Sequence, residues 1–242
     1  MKNNRNILCI LLSINIIVVL TIFTSCNINC IRGKGNITKK TREVTSFNAI
    51  EVSGAYTIIL CQDSITSLNI EADENLHQFI TTKVENNKLI IDSKESLCPT
   101  KHINVYINSP SFKNIDVSGA INVQSVNQLT APEIKLDLSG ASEINLNLET
   151  QKLNIGCSGA GKLQLSGKAL YAKFDCSGAS EINAFDLLSE TLKISSSGAG
   201  KAKVNVSKHL DVDISGAGTI LYKGSPTVSQ EISGAGSVKK VD

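Results

Sequence analysis

The chain has 242 residues, 41% of them hydrophobic and 19% charged, which fits one globular domain plus a removable leader and excludes general disorder. With 24 Lys and Arg against 22 Asp and Glu the net charge is +2, so no electrostatic argument favours nucleic acid as a partner. Aromatic residues make up 4%, Trp is absent, and His occurs only at His77, His102 and His209, which leaves little material for base stacking, metal ligation or acid–base catalysis.

The N-terminus reads as an export signal. Lys2 and Arg5 give a positive start, Ile7 to Phe23 is almost wholly apolar, and the small residues Thr24 and Ser25 precede Cys26. A Cys directly after small residues is the lipoprotein form of such a signal, so Cys26 is the predicted lipid-attachment residue and the first of the mature chain. Phe23 departs from the usual Leu of that pattern, and Cys30, after Asn29, is a poorer second candidate. A plain signal peptide and an uncleaved anchor are the alternatives. The apolar run is short for a ~30 Å hydrocarbon layer. Each reading puts the remaining chain outside the inner membrane. Residues 1–25 are thus the predicted leader, and 26–35, with Gly33 and Gly35, a predicted tether.

Seven cysteines occur, at 9, 26, 30, 61, 98, 157 and 176, with no CxxC. Zinc and thioredoxin-like chemistry therefore lack support, and no metal or cofactor is expected. Cys61 and Cys98 can pair in an oxidising compartment, a point that spacing alone does not decide.

Residues 36–115 read as an irregular β segment. Ser67–Ala72, Lys88–Asp92 and Ile103–Ile107 have strand character, Glu85-Asn86-Asn87-Lys88 a hairpin turn, and Asp73–Ile80 one short helical turn. The segment is predicted to cap the strand edges of the C-terminal half.

From residue 116 a repeat dominates. Ser-Gly-Ala begins at Ser53, Ser118, Ser139, Ser158, Ser177, Ser197, Ser215 and Ser233, and from Ser118 the spacings are 21, 19, 19, 20, 18 and 18. Before each triplet stands an apolar–polar–apolar alternation: Ile115-Asp116-Val117, Leu136-Asp137-Leu138 and Phe174-Asp175-Cys176 are examples. Gln230 is the exception in that apolar column. Period two without a helical pattern predicts an all-β, parallel (right-handed) β-solenoid over 116–242, with coils of about 18–21 residues and a perimeter of about 60 Å. The glycines Gly54, Gly119, Gly140, Gly159, Gly178, Gly198, Gly216 and Gly234 are the predicted coil corners, stacked one upon another.

Phe47-Asn48-Ala49-Ile50-Glu51-Val52-Ser53-Gly54-Ala55, then Ile70-Glu71-Ala72-Asp73-Glu74-Asn75-Leu76, the Ser-Gly-Ala ladder and Tyr222-Lys223-Gly224-Ser225-Pro226 together resemble the GIN-domain family of adhesin head domains, frequent in lipoproteins of Bacteroidetes. The resemblance covers about residues 35–240, read as one GIN-like domain over 36–242. It implies an extracytoplasmic β-helical domain and no catalytic residues.

The other candidates are weaker. Gly156-Cys157-Ser158-Gly159-Ala160-Gly161-Lys162 has phosphate-loop spacing, but Leu163 replaces the required Ser or Thr and no helix comes after it. Asp116, Asp137, Asp175 and Asp213, with Glu231, form an acidic row that is a candidate binding face; Gly156 and Ser195 interrupt it, and a solvated outer face is the better reading. Glu143 and Glu181 share that ambiguity. Cys157 and Cys176 read as buried free thiols in neighbouring coils, and the three His as surface or loop residues. The expected protein is non-catalytic. It is held on the cell envelope of a Gram-negative bacterium by its N-terminal lipid, at the outer membrane, in the periplasm or on the cell surface. Its solenoid face would meet a glycan, a protein or a copy of itself, but no nucleic acid. The runner-up is a β-helix enzyme acting on acidic polysaccharide; an envelope-stress or signalling component is a third reading.

Overall fold

A computed structural model describes residues 29–241. The predicted leader 1–25 and Cys26 lie outside the described residues. Two short strands open the fold, β1 (Ile31–Arg32) and β2 (Ile37–Arg42). Next come β3 (Ala49–Gly54) and β4 (Thr57–Gln62), joined at the first Ser-Gly-Ala. The chain then makes an excursion through β5 (Ser67–Asp73), a 3-10 turn at Glu74–Leu76, β6 (Ile80–Glu85), β7 (Lys88–Ser93), β8 (Leu97–Cys98) and β9 (Asn104–Ser109). It returns as β10 (Asn114–Ser125). From there it winds through β11 (Leu129–Gly178), β12 (Glu181–Gly198), β13 (Lys201–Gly216), β14 (Thr219–Lys223), β15 (Thr227–Gly234) and β16 (Ser237–Lys240). No described helix is long and apolar enough to cross a membrane.

The winding part is a parallel β-solenoid of about six turns, as the repeat predicts. Its register is set by the triplets: Ser118, Gly119 and Ala120 pair with Ser139, Gly140 and Ala141, and Ser177-Gly178 with Ser197-Gly198. Alternation turns one apolar column inward. Ile115, Leu136, Ile155, Phe174, Ile194 and Val212 are each at most 2% exposed and stack along the axis. A one-residue slip would turn that whole column to solvent, so burial fixes the register. The column ends at Gln230, which is exposed in the last coil.

The predicted boundary at residue 116 is not where the solenoid begins. β3 and β4 pair in parallel with β10, with Ser53-Gly54 in register with Ser118-Gly119. On their other side lie β7 and β9, also parallel. The coil made by 88–109 thus comes later in the sequence than 49–62 yet sits further out. The intervening excursion also supplies the lid: β6 folds antiparallel onto β7, β5 onto β9, and β2 onto β5. Asn86 and Asn87, with φ of 50° and 60°, make the tight hairpin turn between β6 and β7. β2 and β16 are the two ends of the large sheet.

Two expectations are corrected here. Cys98 bonds to Cys30, not to Cys61, because the excursion lays β8 beside β1. Cys61 is free and half-buried on β4. The second half of the stretch read as a tether is therefore tied to the cap. His77 is also not a surface residue: it is 3% exposed, and its Nε2 lies 3.0 Å from the Thr38 carbonyl oxygen.

Candidate functional site

The corner column shows why the triplet recurs. Gly178 has a φ of +99°, a region L side chains rarely adopt, and a Cβ added there would lie 2.5 Å from the Gly159 carbonyl oxygen. At Gly119, Gly140, Gly159, Gly198, Gly216 and Gly234 the added atom would likewise strike the carbonyl oxygen of the glycine one coil below. The backbone amides of Ala179, Ala199 and Ala217 donate to those same oxygens in this column, at 3.0, 3.1 and 2.9 Å. Gly54 is the base of the column, closed from below by the Tyr56 ring.

The acidic row lies on the outward face beside that corner, as the alternation requires, and is interrupted at Gly156 and Ser195. A column of lysines two residues earlier on the same face accompanies it. Lys135 reaches Asp137 at 2.6 Å and Lys173 reaches Asp175 at 2.7 Å. One coil below, Lys88 pairs with Glu51 at 2.7 Å. Lys193, at an equivalent place, pairs with Asp211 at 3.3 Å. Asp116 is half-buried between Glu51 and Asp137. Burial first, then repulsion from Asp137 and Glu51, pushes its carboxyl above the usual range, with Lys88 and Lys135 opposing. Asp116 thus costs stability when ionised, and that cost vanishes as the pH falls below the ordinary carboxylate range. Asp175 and Asp213 border a shallow groove of about 210 Å³ with Ser177, Ser195, Ser197 and Ser215. Asp116 and Asp137 line none of the described clefts.

Elsewhere the groups are structural. Cys157 and Cys176 are free and buried at neighbouring inward positions. The hydrogen bond between them and then burial hold the Cys157 thiol protonated. Glu143 pairs with Lys162 at 3.6 Å, and Glu181 is exposed. Glu143 also borders a cleft of about 520 Å³ with Tyr56, His102 and Asn122, on the Ala side of the corner column. The Gly156–Lys162 stretch runs as strand through a corner, so its amides belong to the ladder and cradle no phosphate. His209 is exposed on β13 and His102 is exposed in the loop before β9. No group of three His, Cys, Asp or Glu suited to a metal occurs among the described residues.

The residues that sequence reading missed fasten the cap. Asp73 is fully buried. Its carboxylate accepts from the Gly35 amide at 2.6 Å, the Thr100 amide at 2.9 Å and the Thr100 hydroxyl at 2.7 Å. Burial alone would raise its pKa; the Thr100 and Gly35 hydrogen bonds override it and hold the carboxyl below the usual range. Asp73 and the Cys30–Cys98 bond together join the segment before β2 to the loop over the first corner. Only the lysine column had a sequence signal: Lys at i and Asp at i+2 share a face at period two.

The family model described as "Putative auto-transporter adhesin, head GIN domain" matches residues 46–226. Among solved structures, a "putative adhesin" from Bacteroides fragilis is 28% identical with a TM-score of 0.83, covering 87% of this chain and 100% of its own. A "putative adhesin" from Parabacteroides distasonis is 26% identical with a TM-score of 0.69, over 88% of this chain and 100% of its own. A second Parabacteroides distasonis protein, titled "Putative lipid binding protein", shares the fold at 24% identity and a TM-score of 0.70, over 88% and 100%. No curated protein matches the chain.

Proposed function

The chain belongs to the GIN-domain family of auto-transporter adhesin heads, and on that premise we propose that it is a non-catalytic, lipid-anchored protein of the cell envelope whose solenoid side presents a binding surface to a glycan or a protein. The observation that carries this reading is the state of the acidic row. Its carboxylates sit on a flat sheet face, and Asp137 and Asp175 are held by lysines of their own strands. Glycoside cleavage needs two carboxyl groups facing each other across a bound sugar, one protonated and one ionised. Asp116, whose carboxyl is raised by burial and by its acidic neighbours, is in register with Asp137 of the next coil. They stand side by side on one face, and Asp137 is engaged by Lys135, which supports binding over turnover. A charged, ladder-rigid side is suited to polar recognition over a long footprint, as solenoid faces generally are.

The anchor rests on the Thr24-Ser25-Cys26 sequence. Cells expressing the chain are grown with a labelled fatty acid. Label is expected on the native chain and absent from Cys26→Ala. Equal labelling of both removes the anchor, as does absence of label from both.

A further inference from the structure

We infer that the N-terminal cap carries a cationic surface that lies against anionic lipid headgroups and stands the solenoid upright on the membrane, an inference that takes the Cys26 anchor of the proposed function as its starting point. Charge along the chain is sharply divided. Residues 29–42 hold five basic residues, Arg32, Lys34, Lys39, Lys40 and Arg42, and no Asp or Glu. Residues 43–242 hold 17 Lys and Arg against 22 Asp and Glu, a net −5. Most of that negative balance lies beside the basic segment: residues 43–115 hold 5 Lys against 9 Asp and Glu, and residues 116–242 are near neutral with 12 against 13, so the segment is a basic strip within its own end of the chain.

The fold places the basic segment at one end of the sheet. β2 is one extreme of the large sheet and β16 the other. Arg32, Lys34, Lys39 and Lys40 are exposed. None of the ion pairs among the described residues includes any of the five, whereas the lysines of the solenoid side are repeatedly paired. Three of the acids near the segment are engaged by neutral donors: Asp73 is buried under its amides, Glu74 accepts from Asn36, and Glu71 from Asn104 and Tyr106, while Glu43, next to Arg42, is exposed. Lys39 lies 4.2 Å over the Tyr106 ring, and Arg42 donates to the His77 carbonyl. The bland account of such lysines is protection of an edge strand against pairing. It covers β2 and Arg32 on β1, but not Lys34, which lies between the two strands.

The disulfide supplies the distance. Three residues separate Cys26 from Cys30, and Cys30 is bonded to the cap at Cys98. A fully extended chain of that length spans at most about 14 Å. A lipid on Cys26 would thus hold Arg32 and Lys34 within reach of a headgroup field whose screening length is roughly 8 Å. Each basic residue near an anionic surface adds to the attraction. Together with the short tether this turns the β1 and β2 end toward the bilayer. The ladder from β2 to β16 would then extend roughly 50 Å outward at ~4.8 Å per strand, keeping the acidic side clear of the bilayer.

The test uses the mature lipidated chain in vesicles of phosphatidylcholine alone and of phosphatidylcholine with phosphatidylglycerol. Lysines are modified with an amine-reactive reagent and read by mass spectrometry. Modification of Lys34 and Lys40 is expected to fall at least threefold with phosphatidylglycerol and to recover in 0.5 M salt, where the screening length is about 4 Å. Lys239 and Lys240, on the far strand, are expected not to change. In Arg32→Glu/Lys39→Glu the protection should shrink below twofold, with an unchanged melting temperature showing that the cap is intact. Equal modification of Lys34 and Lys40 in both vesicles overturns the inference while leaving the anchor standing. Failure to float with phosphatidylcholine vesicles overturns the anchor; salt-sensitive protection by phosphatidylglycerol would still support the surface. Protection by a soluble acidic polysaccharide and not by phosphatidylglycerol vesicles overturns the membrane assignment.

Discussion

Replacing Gly178 with Val is expected to destabilise the domain by roughly 3–5 kcal/mol, the sum of backbone strain and overpacking. The backbone there sits at φ +99°, where a β-branched side chain is strained. The new Cβ would lie 2.5 Å from the Gly159 carbonyl oxygen and 3.1 Å from its nitrogen, both fixed by the ladder. Because corners stack, a shift that relieves this contact pushes on the next coil, at Gly198. For a domain of this size the loss corresponds to a fall of about 10 °C or more in melting temperature. Gly161→Ala is the control: an added Cβ there meets only Leu163 and Ser142 side chains, at 3.5 and 3.6 Å, and is expected to change stability by under about 1 kcal/mol. Thermal unfolding of the two variants checks both values. A Gly178→Val variant as stable as the native chain would mean that the corners do not bear on one another.

Asp73→Asn, nearly identical in shape, is expected to cost roughly 2–4 kcal/mol. The native carboxylate faces three donors: the amides of Gly35 and Thr100 and the Thr100 hydroxyl. An Asn there replaces one acceptor oxygen with an NH₂. If it occupies the Oδ2 site, it meets the Thr100 amide donor head-on; flipped, it meets Gly35. Either way a buried N–H is left unpaired. The pH dependence separates this from general damage. The folded pKa of Asp73 lies below its unfolded value, so its contribution is present above about pH 4 and is lost as the pH falls through the folded pKa. His77 acts at higher pH. Burial, then the Lys40 and Arg42 charges, lower its pKa against the Thr38 hydrogen bond, so stability declines as the pH falls below about 6.5. Native protein should therefore lose stability in two stages on acidification. Asp73→Asn should keep the first and lack the second. Melting curves between pH 3 and 8 check this; an unchanged acid limb in the variant would show that Asp73 does not fasten the cap.

The repeat was legible because stacking imposes one rule on every coil. A residue in the inward column meets the same environment six or seven times, so Ile115, Leu136 and Phe174 announce the face and the period together. The Ser-Gly-Ala corner was legible for the same reason. The cap obeys no such rule. Its contacts join residues far apart in sequence, such as Gly35 with Asp73 and Cys30 with Cys98, each made once. In the sequence Cys30 stands close to the leader, which leaves Cys98 facing Cys61. The excursion between β4 and β10 decides otherwise, by placing the coil of β7 and β9 outside that of β3 and β4. The burial of His77 was hidden because its partners, the carbonyl and hydroxyl of Thr38, lie 39 residues away in sequence. The acidic row was legible as a row, and its neutralising lysines were present at i−2. Their pairing became meaningful only once both columns were seen on one flat face.

The same row is where binding and catalysis part company. A side chain held in an ion pair on a flat sheet can recognise a polar ligand, while a hydrolase or lyase needs one carboxyl group free to exchange a proton against bound substrate. Incubating the purified protein with acidic envelope polysaccharides and following reducing ends and unsaturated products tests this most directly. The account predicts that the polysaccharides remain intact over prolonged incubation, whether or not they are retained by the protein. Release of new ends that disappears in Asp137→Asn would contradict it.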